Sequence, residues 1–267
     1  MKSKQELVRA LAQNDDDRIL LAGALDKLET CRRRCCQTAT RFLDLRQREL
    51  VRQAVWQAGG AAESVFWGGY ADAERACCVF FPDYLTADDV TASEEGPLVL
   101  LRAVVHGQDT LSHRDYLGAL MGLGLERACI GDILVRPDGA DILVLEEVAG
   151  YIETQMEKAG RKRLSLAHVP LNELIVPAVH ETEGGGTVAS LRLDCVLAQV
   201  FSMSRTQAQD AVARGLVFVN QAPCLKADRE VGAGDRLTLR GKGRARITEL
   251  GGTSRKGRQF IRYARSV

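Results

Sequence analysis

The sequence predicts an α+β chain of several modules, and three observations carry that expectation. At 267 residues, with 46% hydrophobic and 27% charged, the chain is long enough for two or three domains with cores of their own. Its hydrophobic period changes from helical to strand-like and back along the chain. Its charge is split. Residues 187–267 hold 15 Lys/Arg against 6 Asp/Glu, a net of +9, which leaves −8 on the remainder and +1 overall. The expected organisation is a helical region over 1–60, a β-α-β-β-α-β middle domain over 61–178, and a linker over 179–187. A small basic module over 188–250 and a basic tail over 251–267 follow.

The helical region is read from caps and stripes. Asp15, Asp16 and Asp17 precede an apolar pattern through Ile19, Ala22 and Leu25, and Arg32, Arg33 and Arg34 follow it. Acids at the start and bases at the end both complement the helix dipole, so the arginine triplet reads as helix-end charge. A later helix opens at Asp44, carries Val51, Ala54, Val55 and Ala58 on one face, and stops at Gly59-Gly60.

In the middle, residues 74–81 read as a strand that Pro82 closes. Strands at 98–105, 132–136, 141–146 and 163–169 then alternate with helices at 112–123 and 148–159, and Pro137-Asp138-Gly139 makes the turn. This order is the split β-α-β of ferredoxin-like and RNA-recognition-motif folds. A sheet that read RNA by stacking would carry aromatics on its central strands, and DILVLEE has none. The expectation is therefore the shape of such a domain without its stacking chemistry.

Residues 181–186 (ETEGGG) are polar and glycine-rich, the composition of a linker, and mark where the charge changes sign. Beyond them Leu193, Val196, Leu197 and Val200 fall on one helical stripe, with Ser190 as the expected cap and Arg192 and Asp194 off the stripe. Ser204 and Gln207 form a capping box for a second helix, whose small residues Ala208, Ala211 and Val212 allow close packing until Gly215 ends it. Residues 216–220 and 236–240 alternate as short strands around a turn at 231–235, and the basic run Arg240, Lys242, Arg244, Arg246 comes after. In this run S-x-R-x-D, S-R-x-x-A, G-x-V-x-V-N and G-D-x-L occur in order. The segment resembles the αL RNA-binding domain of ribosomal protein S-four type. The resemblance implies that the helix pair lies against structured RNA through backbone contacts. It makes Arg192, Ser204 and Arg205 the leading contact candidates, with Arg214 and Lys226 behind them. A packed stem is the competing role for Arg205. The tail GGTSRKGRQFIRYARSV interleaves Arg255, Lys256 and Arg258 with Phe260 and Tyr263. It reads as a phosphate-neutralising arm, as a last strand of the small sheet, or as both.

Other chemistry finds little support. The longest apolar stretch, residues 97–105, is interrupted by Arg102 and far short of the roughly 18 residues a membrane span needs. The first residues lack a signal-peptide core, so the expected location is cytoplasmic. Eight cysteines include no C-x-x-C pair and the four histidines are scattered, so free thiols are expected and no metal site or cofactor is assigned. His113 and Asp115, two apart on a helix, point to different faces and make no dyad. No catalytic residue is proposed, because GxGxxG and phosphate-loop patterns are absent. An RNA-modifying enzyme of pseudouridine synthase or methyltransferase class, acting through residues 60–178, remains the alternative.

Over nearly the whole chain, FLDLRQRELV, GGYADAER, LSHRDYLGALMGLGLER with IGDILV, RGKGRARI and TSRKGR resemble successive blocks of the YlmH family of bacterial proteins. That resemblance implies binding to the large ribosomal subunit and to tRNA, with a role in ribosome-associated quality control of stalled translation. A link of some members to cell division gives a further alternative, an interaction protein of the division machinery. A monomer is expected.

Overall fold

Alternation of apolar side chains decides how the layers stack, because a strand that buries both faces must be apolar at every position. The computed structural model describes residues 3–106, 110–177, 181–220, 222–254 and 257–266. It divides into two compact units, residues 1–177 and 178–267. No helix among the described residues is long and apolar enough to cross a membrane.

The first unit begins with α1 (Lys4–Leu11), α2 (Asp15–Arg34), β1 (Thr38–Ala39) and α3 (Leu45–Gln57). The Asn14 side chain caps α2 by accepting from the Asp17 N–H, and Asp44 forms a capping box with Gln47 at α3. Then come β2 (Ser64–Trp67), β3 (Cys77–Phe80) and α4 (Ala87–Ala92), with sheet order β1-β3-β2. Next are β4 (Leu98–Val105), α5 (His113–Gly122), β5 (Ile130–Arg136), β6 (Gly139–Leu145), α6 (Glu146–Gln155), β7 (Lys158–Ala159) and β8 (Lys162–Val169). Their antiparallel sheet runs β5-β6-β4-β8-β7, the split β-α-β arrangement.

The two sheets face each other. On β3, Cys78 and Phe80 pack into the core of α1–α3, whereas Cys77 and Val79 meet Leu98, Leu100, Leu143 and Leu145 of the larger sheet. The opposite side of that sheet, with Val99, Leu101, Ile142 and Val144, lies under Tyr116 and Leu120 of α5 and Ile152 of α6. The result is four layers: helices, sheet, sheet, helices. It corrects the expected boundary at residue 60, because β1 and β2, one from each side of that boundary, pair with the same strand β3.

The second unit comprises β9 (Glu181–Val188), α7 (Leu193–Val200), α8 (Arg205–Ala213), β10 (Val217–Val219), β11 (Ala222–Pro223), β12 (Arg236–Leu239), β13 (Gly243–Thr253) and β14 (Gln259–Ser266). Its sheet order is β11-β10-β12-β13-β14-β9. Both helices pack on one side, over Val217, Val219, Leu237, Leu239, Ala245 and Ile247.

Two expectations are corrected here. The segment read as a linker is β9, paired with β14 from Glu181–Ser266 through Val188–Gln259. Gly184 and Gly186 face the core side, where a Cβ would collide with the Tyr263 ring and the Gln199 amide, so these glycines make room rather than slack. Residues 259–266 of the expected tail are likewise a paired strand, so the strand reading of the tail holds for that stretch.

Candidate nucleic-acid interface

The N-terminus of α7 has no side-chain cap; Arg192 occupies the cap position, not Ser190. Its first N–H groups instead donate to the loop after β11: Leu193 to the Arg229 carbonyl at 2.8 Å and Asp194 to that of Ala227 at 3.0 Å. This contact buries Asp194 completely at the start of the helix. A buried carboxylate needs partners, and they come from both helices. Arg192 donates to it through Nε and Nη2 at 3.2 and 3.3 Å, Arg205 through Nε at 2.9 Å and Gln209 through Nε2 at 2.7 Å. The Cys195 N–H adds a bond at 3.0 Å. Burial pushes the carboxyl pKa up, but the bonds from Arg192, Gln209 and Arg205, together with the Arg192 charge, outweigh it. They hold Asp194 well below the usual carboxylate range.

One anionic atom pair thus fixes two guanidinium groups from different helices. The Arg192 and Arg205 side chains are still 39% and 53% exposed. Their N–H groups not engaged with Asp194 can meet a phosphate oxygen, the fork geometry for which arginine is suited. Ser204 sets the start of α8 beside them: its hydroxyl accepts from the Gln207 N–H at 3.1 Å, and the Gln207 side chain accepts from the Ser204 N–H at 2.9 Å. Exposed Lys226 lies on the loop whose carbonyls accept from the first N–H groups of α7.

The remaining candidates do not join this cluster. Arg214 sits at the other end of α8, about 14 Å along the axis at ~1.5 Å per residue, and pairs with Asp210 at 3.5 Å. Arg244 and Arg246 alternate with the core residues Ala245 and Ile247, so they project from the sheet side turned away from the helices. Arg246 pairs there with Glu181 at 3.4 Å. The guanidinium of Arg240 stacks 5.6 Å from the centre of buried Phe218, and exposed Lys242 occupies the turn before β13. Arg258 is tied to β9, donating to the Thr187 hydroxyl at 3.0 Å and its carbonyl at 2.6 Å. Arg255 and Lys256 lie outside the described residues. The expected single basic surface is therefore two, a helix-side cluster and a sheet-side row. Sequence reasoning missed Asp194 as organiser, exposed Arg229 on the capping loop and Arg236 opposite Arg246 on the sheet. The sheet-side placement had a legible signal, the period-2 alternation through 244–247. The Asp194 clamp had none.

In the first unit, the Asp115 carboxylate is committed to capping: it accepts from the Ser112 N–H at 2.8 Å and hydroxyl at 2.6 Å. Burial, then the Arg127 charge, lowers the His113 pKa. Arg127 itself donates to the Ile130 and Gly131 carbonyls, and burial and the Arg75 charge bring its pKa down to about 10. Asp132 accepts from Tyr70 Oη at 2.8 Å and from the Glu74 and Arg75 N–H groups. These bonds tie the β5 start to the loop before β3. All eight cysteines are free thiols. Among the described residues no group of three or more His, Cys, Asp or Glu side chains is arranged to hold a metal ion.

Comparison with known proteins adds two domain matches. Residues 107–173 match the family model described as the putative RNA-binding domain in YlmH, and residues 191–237 match the S4 domain. Over 254 residues the chain is 34% identical to "Ribosome-associated protein quality control protein P2" of Bacillus subtilis (strain 168), covering 94% of this chain and 95% of that protein. The chain belongs to the YlmH family. A solved structure titled "Cell division protein ylmH from Streptococcus pneumoniae" aligns with a TM-score of 0.48 at 21% identity, covering 61% of this chain and 97% of that one. The Asp194 clamp of this YlmH-family chain, with Arg192, Arg205 and Lys226, lies inside the S4 match.

Proposed function

We propose that this YlmH-family protein is a non-catalytic RNA-binding factor that docks on the large ribosomal subunit and on tRNA, in ribosome-associated quality control of stalled translation. The observation that carries the reading is the Asp194 clamp, which presents Arg192 and Arg205 together on the face of the S-four-type unit. The name of the Bacillus relative supports the ribosomal setting. Backbone contacts of this kind bind RNA without reading its sequence, which suits a factor that recognises a folded ribosomal surface.

Sedimentation of the full chain with purified large subunits tests it. Replacing the two arginines alone would strand the buried Asp194 carboxylate and confound binding with stability. The appropriate variant is therefore Arg192→Gln/Asp194→Asn/Arg205→Gln, which removes the cluster's charges together. Wild-type protein is expected to travel with the subunits and the triple variant to stay largely at the top of the gradient. Wild-type protein remaining at the top, or both travelling equally, contradicts the reading.

A further inference from the structure

The larger sheet of the first unit is packed over most of both faces, and on the side away from α5 and α6 its far end, with Val104, Ser165 and Ala167, is exposed. One side is covered by α5 and α6, and the other, the side an RNA-recognition motif would use, is packed against Phe42, Cys77, Val79 and Phe81. Residues 107–173 match a putative RNA-binding domain, and with the centre of the sheet packed on both sides, its helices, edges and far end are the surfaces left to meet RNA. Charge and shape single out one place. A groove of about 820 Å³ runs between α5 and the β7–β8 hairpin. Arg114 lines it from the helix, and Lys158, Arg161, Lys162 and Arg163 line it from the hairpin.

Two acids share the lining, Asp115 and Glu157, and Asp115 is engaged with Ser112. Lys158, Arg161 and Arg163 are exposed and have no ion-pair partner among the described residues. The helix wall is low where the groove passes, because a Cβ at Gly118 or Gly122 would meet nothing within 4 Å. Gly160, at φ +54°, allows the tight turn that sets Arg161 at the hairpin tip. Among the described residues no aromatic side chain lines the groove. Without a stacking platform, and with cations on both walls, the site suits the phosphodiester backbone rather than bases.

We propose that the groove between α5 and the β7–β8 hairpin is a second RNA site, which holds the phosphates of an RNA strand independently of sequence. It rests on the reading that the protein binds RNA, but it is a different surface from the S-four-type cluster. The test uses full-length protein, a 20-base-pair RNA duplex and an Arg161→Glu/Arg163→Glu variant. Thermal melting should be unchanged, because neither side chain has an ion-pair partner among the described residues. The variant is expected to bind the duplex about tenfold more weakly at ~100 mM salt, with the log–log salt slope reduced by about two. Unchanged affinity and slope in this variant overturn the groove. If the triple variant at Arg192, Asp194 and Arg205 then still loses binding, the proposed function stands without it. If wild-type protein binds neither the duplex nor large subunits, both readings fall.

Discussion

Each unit of the molecule contains a fully buried aspartate that clamps two arginines, and the two clamps serve different ends. In the first unit Asp141 accepts from Arg102 Nε and Nη2, both at 2.9 Å, lies 3.4 Å from Arg136, and accepts from the Ile175 N–H at 2.9 Å. There the arginine side chains are themselves covered, Arg102 at 19% and Arg136 at 6% exposure. In the second unit Asp194 holds Arg192 and Arg205, which keep 39% and 53%. Burial of the whole set makes a structural pin; burial of the acid alone makes a rigid presentation of two cations. On the proposed function, it is the exposure of the arginines, not the presence of the ion pair, that separates architecture from a binding surface.

That contrast is open to direct attack, and Asp141→Ala is expected to do most damage. It strands two covered guanidinium groups, a loss of about 3–5 kcal/mol of the kind that breaking a buried pair produces. Denaturant unfolding of the first unit measures it. RNA affinity of the protein that remains folded should be unaltered, since the clamp holds the sheet and touches no proposed RNA site. An equal loss of affinity would erase the distinction.

Asp194→Asn is expected to cost less stability, about 1–2 kcal/mol, because its arginines remain hydrated when released. Its larger effect is on RNA binding, about a tenfold loss, even though the variant is more positively charged than the parent. Simple charge neutralisation expects the opposite sign, tighter binding. The direction of the change in a binding titration separates orientation from bulk charge.

A smaller effect concerns acid. Asp194 ionises in the folded state well below its unfolded value of about 3.9. Its contribution is thus present above that value and lost as pH falls through the lower, folded one. Unfolding of the second unit should become progressively easier below about pH 4, and less steeply so in Asp194→Asn. Parallel pH profiles for the two proteins would show that the carboxylate is not held as described.

Much of this architecture is legible in the sequence because local and tertiary preferences agree. The capped starts at Asp44 and Ser204 are visible in the residue order, and so are the apolar runs that a doubly covered sheet requires. What is not legible depends on distant partners. The glycines and acids of residues 181–186 disfavour a strand locally, and they form one because β14 supplies an edge and Tyr263 and Gln199 fill the space above Gly184 and Gly186. Asp194 looks like an ordinary first-turn acid. Its partners Arg205 and Gln209 stand 11 and 15 residues away, on a second helix, and no spacing rule connects them.

The salt dependence of RNA binding by the full chain reaches the central claim most directly. If the clamp presents its arginines to phosphate, wild-type affinity should fall with a log–log slope of roughly −3 to −5, and Arg192→Gln/Asp194→Asn/Arg205→Gln should flatten it by about two. A flat wild-type response, or the same slope in both proteins, would contradict it.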